Sequence, residues 1–402
     1  MKILVINSGS SSIKFQLIDM ETKNPLARGL LERIGLKGSV LNYYRGDKKL
    51  MVENDVQNHE QGIQIIVQYL TDPTHGVIRD KSEIFAIGHR VVHAGEKFKS
   101  TVVITDDVLK ALRECVPLAP LHNPPNLIGI EATQKILPGI PMAGAFDTAF
   151  HQTMPEHSYI YPLPFEYYRQ YKIRRYGFHG TSHFYVAKQG AWLVGKKMSE
   201  IKIITCHLGN GSSMTAIQNG VSVDTSMGFT PLEGLAMGTR CGDIDPAIIF
   251  YMQRSQGLSH DQVDTILNRQ SGVLGISEVS SDMRDIEAKA GEGHHQAKLA
   301  LKIFTYRIKK YIGAYIAAMN GVDLIIFTAG IGERSPIVRR MVLENMESLG
   351  IKLDPQANQK AFGKTGVISS ADSPVKVLVI PTNEELEIAE QTALIIKEKK
   401  HH

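Results

Sequence analysis

Two arginines and one aspartate stand in short polar segments with the chemistry to hold an acid or a phosphoryl group. Arg90 lies in "GHRVVHAG", Arg240 in "GTRCGDIDP", and Asp147 directly follows an apolar run in "GAFDTAFH". A guanidinium offers a bidentate fork to carboxylate or phosphate. A carboxylate at a strand end can orient a nucleophile or bind the water shell of a metal ion. Structural Arg–Asp pairs, and a helix N-cap at Asp147, explain the same residues equally.

Two histidines lie in Gly- or Pro-rich loops, His122 in "LAPLHNPPN" and His179 in "RYGFHGTSH". A loop histidine is usually solvated or capping, and the alternative is a donor to phosphoryl oxygens at the transition state. His179 and His183 form an H-x-x-x-H pair without a third ligand signal, so no zinc site is predicted.

The segment "VIPTNEELEIAEQ" runs from a predicted strand into a predicted helix with Glu384 and Glu385 in its first turn. The helix dipole favours acidic residues at this end. A role for Glu384 in binding Mg²⁺ is the alternative.

An internal repeat supplies two Gly/Ser-rich turns. "ILVINSGSSSIKF", from residue 3, aligns without a gap with "IITCHLGNGSSMTA", from residue 203, so that Asn7 falls on His207 and Ser12 on Ser212. Each copy predicts a β-hairpin whose turn exposes backbone N–H groups and hydroxyls, a nest suited to phosphate. The repeat indicates two similar domains whose hairpins face each other across a cleft, although two Gly/Ser turns can also coincide by chance.

A third Gly-rich segment, "LIIFTAGIGERS", follows another apolar run. Gly330 and Gly332 in a turn would let a flat ring or a sugar lie against the backbone, and a simple strand-to-helix connection explains the segment equally. Lys14 adds a cation beside the first turn, or is an ordinary solvated lysine. The P-loop and G-x-G-x-x-G patterns do not occur, but the three segments together favour nucleotide binding.

The elements that must position these residues alternate between short apolar strands and helical stretches, which is typical of the α/β class. The longest predicted helix runs from about His294 to Asn320, because apolar residues recur there every three or four positions. The predicted strands are Ile3–Ile6, Ile13–Ile18, Ile84–Ile87, Met142–Phe146, Ile203–Cys206, Met214–Gln218, Leu324–Thr328 and Val375–Ile380.

Composition excludes several classes of protein. The 402 residues include 45 Lys+Arg against 41 Asp+Glu, too even a balance to predict binding to nucleic acid or an anionic membrane. The three cysteines are far apart and lack C-x-x-C spacing, so we expect a reducing cytoplasm and no disulfide. The first apolar run is too short for an export signal, and no run approaches the ~18 residues of a membrane span.

Ten segments in order along nearly the whole chain make the sequence resemble the acetate kinase (acetokinase) family. They are "NSGSSSIKF", "GHRVVHAG", "LAPLHNPPN", "FDTAFH", "YGFHGTSH", "HLGNGSS", "DTSMGFTPLEG", "GTRCGDIDP", "AGIGERS" and "PTNEEL". Any one of these segments alone is weak evidence for the family, whereas ten of them in the family's order are highly specific for it.

The resemblance implies an α/β fold of two duplicated ribonuclease H-like domains, the fold of actin, sugar kinases and heat-shock chaperone ATPases, with the active site in a cleft between them. The expected domains are residues 1–149 with 381–402, and residues 150–380. The implied reaction is direct in-line phosphoryl transfer from ATP to acetate, giving ADP and acetyl phosphate, with Mg²⁺ or alternatively Mn²⁺. A cytoplasmic homodimer is expected.

The resemblance also implies roles for individual residues. Asn7 and Glu384 would bind Mg²⁺, Lys14 would help to bind ATP, Arg90 would hold the substrate carboxylate and Asp147 would be the catalytic carboxylate. Acetate is already ionised at neutral pH, so we interpret Asp147 as an orienting or metal-shell group rather than a general base.

Further positions follow from the same resemblance. His179 and Arg240 would stabilise the phosphoryl group in flight, with His122 nearby. The pocket for the acetate methyl would be formed by Val92, Leu121, Phe178 and Pro231. The nucleotide would be bound by Ser10, Ser12, His207, Leu208, Gly209, Asn210, Gly211, Asp282, Met283, Arg284, Gly330, Ile331, Gly332, Glu333 and Arg334.

Two alternatives stay open at this point. One is a kinase for propionate or another short acid, since one methylene changes binding by only about 1–3 kcal/mol, although Val92 favours acetate. The other is a non-enzymatic actin-like or chaperone-like ATPase, which would not need the acid-holding residues. Met283 and Arg334 stand where the family usually has Phe and Asn, which leaves the nucleotide preference undecided.

Overall fold

A computed structural model describes residues 1–120 and 122–401, so Leu121, predicted for the methyl pocket, lies outside the described residues. The chain divides into a first unit, Met1–Phe150 with Asn383–His402, and a second unit, His151–Thr382. Among the described residues, no helix is both long and apolar enough to span a membrane.

The first unit is an eight-stranded sheet with helices on both faces. Its elements before the domain crossover are β1 (Lys2–Ser8), β2 (Ser12–Asp19), β3 (Asn24–Glu32), β4 (Ser39–Arg45), β5 (Lys48–Asn54), α1 (His59–Thr71), β6 (Ile84–Val91), β7 (Val102–Val103), α2 (Asp106–Glu114), α3 (Asn123–Ile136) and β8 (Met142–Phe146).

The second unit contains a six-stranded sheet and most of the helices. Its elements are α4 (Glu156–Tyr159), α5 (Glu166–Tyr171), α6 (Gly180–Leu193), β9 (Ile203–Leu208), β10 (Ser212–Gln218), β11 (Val221–Thr225), α7 (Ala247–Gln256), α8 (His260–Arg269), α9 (Gly272–Ser277), α10 (Met283–Gly291), α11 (His295–Met319), β12 (Leu324–Thr328), α12 (Ala329–Arg334), α13 (Pro336–Leu343), α14 (Pro355–Lys360), β13 (Gly366–Val367) and β14 (Lys376–Val379). Short 3₁₀ helices span Lys81–Glu83, Val116–Leu118, Ala149–Thr153, Met198–Glu200 and Glu347–Leu349.

The last helix, α15 (Glu384–His401), returns to the first unit. Its apolar residues Ile388, Ala389 and Ala393 pack in a buried cluster with residues of β1, β6 and β8. A Cβ on Gly88 in β6 would lie 2.5 Å from Thr392 Oγ1, so this close approach requires glycine. The helix therefore begins beside the strand ends of the first sheet.

The two sheets repeat one topology. In the first, the strand order β3-β2-β1-β6-β8 has antiparallel β1/β2 and β2/β3 pairs followed by parallel β1/β6 and β6/β8 pairs. In the second, the order β11-β10-β9-β12-β14 has the same sequence of antiparallel and parallel pairs. The predicted α/β fold with duplicated ribonuclease H-like units is confirmed.

Each predicted strand is present, and Met142–Phe146 and Leu324–Thr328 have the predicted bounds. Both are buried along their whole length, as expected for central parallel strands covered on two faces. The predicted long helix is α11, whose buried residues keep the predicted spacing. Strands β3, β4, β5, β7, β11 and β13 were not predicted, because exposed or short strands carry little apolar signal.

The third Gly-rich segment is not a turn. Gly330 and Gly332 lie inside helix α12, and the chain changes direction at Ala329, whose φ is +63°. The segment is therefore a strand-to-helix connection, with both glycines in the helix that follows the strand.

Candidate active site

Strand adjacency in the first unit brings Arg90 and Asp147 together. Arg90 lies within β6 rather than after it, and Asp147 follows β8, the parallel neighbour of β6. The backbone N–H of Asp147 donates to Val91 O at 3.0 Å, which holds the residue at this edge of the sheet.

The Asp147 carboxylate accepts two hydrogen bonds from one side of the Arg90 guanidinium. Arg90 Nε donates to Oδ1 at 3.0 Å and the NH2 nitrogen contacts Oδ2. Asp147 is 2% exposed and Arg90 23% exposed. Arg90 and Asp147 therefore form an ion pair, the first of the alternatives that the sequence left open for them.

Asn7 and Glu384 also surround Arg90. Arg90 NH1 donates to Asn7 Oδ1 at 3.4 Å, and the charge of Glu384 acts on the guanidinium. Burial raises the pKa of Glu384 to about 7; Arg90 opposes the rise, and Asp147 adds to it. As predicted, Glu384 begins the first turn of α15.

The donors around Arg90 fit Mg²⁺ better than a softer metal. Mg²⁺ is usually bound by one or two carboxylates together with waters and substrate phosphates. Asn7 and Glu384 supply an amide and a carboxylate oxygen of this hard type. Among the described side chains of residues 1–120 and 122–399, no group of three or more His, Cys, Asp or Glu could hold a metal ion. Asn7 and Glu384 supply two oxygens, which suits an ion that keeps part of its water shell.

The first hairpin turn is held by its own backbone and by a histidine. Gly9 N donates to Ser12 O at 2.8 Å, and His59 Nε2 lies 2.8 Å from Gly9 O. Ser10 is exposed and Ser12 half-buried. Lys14, on the adjoining strand, forms an ion pair with Glu385 of α15.

Sequence reasoning missed Asn126, which links the two strands that carry Asn7 and Arg90. Its Oδ1 accepts from the Val92 backbone N–H at 3.0 Å, and its Nδ2 donates to Ser8 O at 2.9 Å. Asn126 is 4% exposed, so these bonds have no competition from water. The segment "LHNPPN" contains this residue, but a single polar residue in a sequence gives no signal of its partners.

Asn123 works in the same way one turn earlier in helix α3. Its side chain accepts from His93 N at 3.2 Å and donates to His93 O at 2.9 Å. The predicted residue His122 is exposed at the start of this helix, and the predicted pocket residue Val92 is 8% exposed. The start of α3 thus fixes the loop that follows Arg90.

The second hairpin differs from the first in the length of its turn. Residues 9–12 lie between the last paired residues of β1 and β2, whereas only residues 209–211 lie between those of β9 and β10. The gapless alignment of Ser12 with Ser212 is therefore wrong, since the shorter turn shifts the second strand by one residue.

This shift decides which side chain faces the site in the second unit. Asn7 pairs with Lys14 in the first hairpin, and His207 pairs with Ser213, not Met214, in the second. Because neighbouring residues of a strand point to opposite faces, the shift places a hydroxyl on the face of His207.

His179 is held in a fixed orientation at the start of α6. Its backbone is left-handed with φ +57°, its Nδ1 lies 2.8 Å from Ser213 Oγ, and its ring stacks on His207 at 4.2 Å between centroids. His207 Nδ1 in turn lies 2.8 Å from Ser182 Oγ. Two of the predicted residues, His179 and His207, are therefore packed face to face.

Arg240 and His179 converge on the second hairpin turn. A Cβ built on Gly211 would lie 3.5 Å from Arg240 NH1 and 3.6 Å from His179 Nε2. Arg240 NH1 also donates to Pro231 O at 3.1 Å, and the described structure gives Arg240 no ion pair with Asp or Glu. Phe178, the other predicted pocket residue of this unit, is 3% exposed. The structure thus brings the predicted phosphoryl donors to one glycine.

A pocket of about 660 Å³ in the second unit collects most of the predicted nucleotide residues. The predicted lining residues are Gly209, Asn210, Asp282, Met283, Arg284, Gly330, Ile331, Glu333 and Arg334. Leu208 is buried in β9, and Gly332 is buried in α12. Asp282 caps helix α10 and pairs with Arg284, so its carboxylate is already engaged.

Sequence reasoning missed four residues of this pocket, namely Ser281, Glu287, Ser335 and Phe362. Phe362 is 58% exposed and lines the pocket, so its ring is available to stack on a ligand. Burial raises the pKa of Glu287, which accepts a hydrogen bond from Ser335. Single polar or aromatic residues distant in sequence carry no spacing signal.

A duplicated ribonuclease H-like fold with Gly-rich hairpins, an Arg–Asp pair and a nucleotide-sized pocket is typical of phosphotransferases of the actin-like ATPase type. The chain belongs to the acetokinase family, whose model matches residues 2–390. The resemblance found in the sequence is confirmed.

Relatives named as acetate kinases cover nearly the whole chain. The chain is 58% identical to the acetate kinase of Thermotoga maritima over 399 residues, 99% of each protein. It is 57% identical to the acetate kinase of Alkaliphilus metalliredigens over 98% of this chain and 100% of that protein.

Solved structures agree. The crystal structure of Porphyromonas gingivalis acetate kinase is 47% identical, with a TM-score of 0.96 over 98% of this chain and 99% of that one. A propionate kinase from Francisella tularensis is 40% identical, with a TM-score of 0.91 over 98% and 99%.

Proposed function

We propose that this protein is an acetate kinase that transfers the terminal phosphoryl group of ATP to acetate, giving acetyl phosphate and ADP, in a reversible reaction that requires Mg²⁺. Full-length identity of 57–58% to acetate kinases supports this function over propionate phosphorylation, since the propionate kinase structure is 40% identical.

The Arg90 guanidinium carries the proposal for the acid substrate. Asp147 occupies the Nε and NH2 side of the group. A guanidinium has five N–H donors, and Asp147 and Asn7 take three of them, so one N–H on each terminal nitrogen remains for a carboxylate. Asp147 therefore orients Arg90 for acetate rather than removing a proton, in keeping with an acid that is already ionised.

Residues of the second unit supply donors for the transferred group. Phosphoryl transfer needs in-line positioning and neutralisation of spread negative charge more than covalent help. Arg240 NH1 and His179 Nε2, which meet at Gly211, suit the equatorial phosphoryl oxygens. Lys14 and the two hairpin turns would hold the remaining phosphates. Bound Mg²⁺, held by Asn7 and Glu384, would neutralise phosphate charge.

The nucleotide is proposed to occupy the pocket between α10 and α12, with Phe362 against the base or ribose. The proposed domains are residues 1–149 with 381–402, and residues 150–380. The protein is proposed to be a cytoplasmic homodimer, and light scattering coupled to size-exclusion chromatography tests the dimer.

One assay tests the reaction directly. Acyl phosphate trapped with hydroxylamine should form from acetate, ATP and Mg²⁺, less efficiently from propionate and least from butyrate. Formation of no acyl phosphate from any of the three acids would refute the proposal.

Arg90→Ala tests the role of the guanidinium. We expect a large rise in the KM for acetate with little change in the KM for ATP. Arg113→Ala, which removes an exposed arginine paired with Glu131 in the same unit, is the matched control. An unchanged KM for acetate in Arg90→Ala would contradict the carboxylate clamp.

A further inference from the structure

A chain of buried hydrogen bonds leads from the interior of the second sheet to His179. Thr205 Oγ1 lies 2.6 Å from His183 Nδ1, and His183 Nε2 lies 2.7 Å from Ser213 Oγ. Ser213 Oγ lies 2.8 Å from His179 Nδ1. Thr205, His183 and Ser213 are each 0% exposed, so no solvent competes along this chain.

The protons of this chain have only two consistent directions. Among the described residues, Ser213 Oγ has no third hydrogen-bond partner, so its single proton is used only if Ser213 donates to one histidine and accepts from the other. A neutral imidazole likewise donates from one nitrogen and accepts at the other. The direction at any one bond therefore sets the direction at all of them.

His183 is neutral. Burial, and secondarily the neighbouring His151 and His207, hold its pKa well below the ordinary value. The ring of His151 lies 5.8 Å from that of His183, and burial lowers the pKa of His151 to about 4. At the outer end of these hydrogen bonds, the charged group of Arg240 lies beside His179 at Gly211.

Thr205 selects one direction. Within the described parts of the chain, His183 Nδ1 is the only hydrogen-bond partner of its hydroxyl group. If His183 donated from Nδ1, the hydroxyl proton of Thr205 would be buried without an acceptor, which is costly. If Thr205 donates to Nδ1, all protons of the chain are used. His183 then donates from Nε2 to Ser213, and Ser213 donates to His179 Nδ1.

We propose that Thr205, His183 and Ser213 are positioning residues that fix His179 as the neutral tautomer with its proton on Nε2, the nitrogen that faces Arg240 at Gly211. The tautomer stands on the hydrogen bonds alone, whereas its use in catalysis rests on the proposed phosphoryl transfer. An Nε2–H group aimed at the transferred phosphoryl is a donor that needs no rearrangement during the reaction.

Imidazole ¹⁵N spectra of the full-length protein labelled at histidine test the tautomer without turnover. The His179 signals are assigned by their loss in His179→Ala. The wild-type protein should show an unprotonated, hydrogen-bonded Nδ1 and a protonated Nε2. A protonated Nδ1 in the wild-type protein would overturn the proposal. This test is made on the wild-type protein, so it does not depend on whether a variant folds.

Variants test the hydrogen bonds from Thr205 to His179. Ser213→Ala and Thr205→Val should both move the His179 signals towards exchange between tautomers, whereas Thr205→Ser, which keeps the hydroxyl, should restore the wild-type pattern. Thr215→Val is the matched control: Thr215 is the buried cross-strand partner of Thr205, but its hydroxyl bonds Thr225. Unchanged His179 signals in both Ser213→Ala and Thr205→Val would refute the proposal that these hydrogen bonds fix the His179 tautomer.

Kinetics separate positioning from binding. Ser213→Ala should lower kcat about tenfold, the effect of one lost hydrogen bond, with the KM values for acetate and ATP within about twofold of the wild type. A drop caused only by a rise in either KM would contradict the proposal. If the wild-type protein formed no acyl phosphate, the proposed function would fail while the spectra still decided the tautomer.

Discussion

Replacement of Asn126 by alanine should destabilise the first unit and loosen the acid-holding residues together. The side chain satisfies the backbone N–H of Val92 and the carbonyl of Ser8, at 3.0 and 2.9 Å. These groups adjoin the strands that carry Arg90 and Asn7. One substitution therefore removes the link between the two strand ends.

The magnitude follows from the two groups left without a partner. A buried polar group that loses its hydrogen bond costs about 1–3 kcal/mol, so Asn126→Ala should lower the free energy of unfolding by about 2–6 kcal/mol. For a unit of this size, each kcal/mol shifts the melting temperature by about 2–4 °C, so we expect the melting transition of the first unit to fall by about 4–24 °C.

Scanning calorimetry of the full-length protein measures this change. Asn126→Asp keeps the acceptor for Val92 but sets a buried carboxylate against the carbonyl of Ser8, so at neutral pH its transition should fall at least as far as that of Asn126→Ala. Asn54→Ala, at an exposed position of β5, is the control and should change stability by less than about 0.5 kcal/mol. A transition of Asn126→Ala within about 2 °C of the wild type would refute the reasoning. The KM for acetate should also rise in Asn126→Ala.

Three further changes test other parts of the site. Phe362→Ala should raise the KM for ATP by about 5- to 150-fold if the ring stacks on the base, whereas Phe250→Ala, of similar exposure on α7, should not; equal values for the two variants would contradict the stacking. Asp147→Asn should raise the KM for acetate about tenfold or more, because an amide N–H would face Arg90 NH2 and the charge-assisted hydrogen bond would be lost. Normal turnover with a normal KM would show that the negative charge of Asp147 is dispensable. Glu287→Gln should gain stability relative to the wild type as the pH rises above about 4.5. Because the pKa of Glu287 is raised in the folded state, this carboxyl stays protonated to a higher pH than in the unfolded state, and its ionisation lowers the stability of the wild type as the pH rises. A difference in the free energy of urea unfolding between Glu287→Gln and the wild type that stays constant from pH 4 to 7 would contradict this.

The sequence predicted the parts of the fold that depend on local pattern. Central strands such as Met142–Phe146 have continuous apolar runs, and α11 has an apolar residue every three or four positions, so both were predicted with nearly their observed bounds. The ordered segments identified the family, and with it the residues that meet in each unit. Strand β5 was missed because its residues are mostly exposed, so the apolar pattern that marks a strand is weak there.

Only the tertiary structure decided which polar groups meet. Residues Arg90 and Asp147 are far apart in sequence and form a pair because β6 and β8 are parallel neighbours. The one-residue difference between the hairpin turns placed Ser213 opposite His207, which a gapless alignment of the repeat could not show.

What the sequence determined by itself is therefore the class of fold, its duplication, the family and the types of residue available for phosphoryl transfer, because these follow from local periodicity and motif order. The orientation of Arg90 by Asp147, the link through Asn126 and the proton chain to His179 were decided by the folded structure. Each depends on hydrogen bonds between buried groups that strand register brings within about 3 Å, and a shift of one residue would remove them.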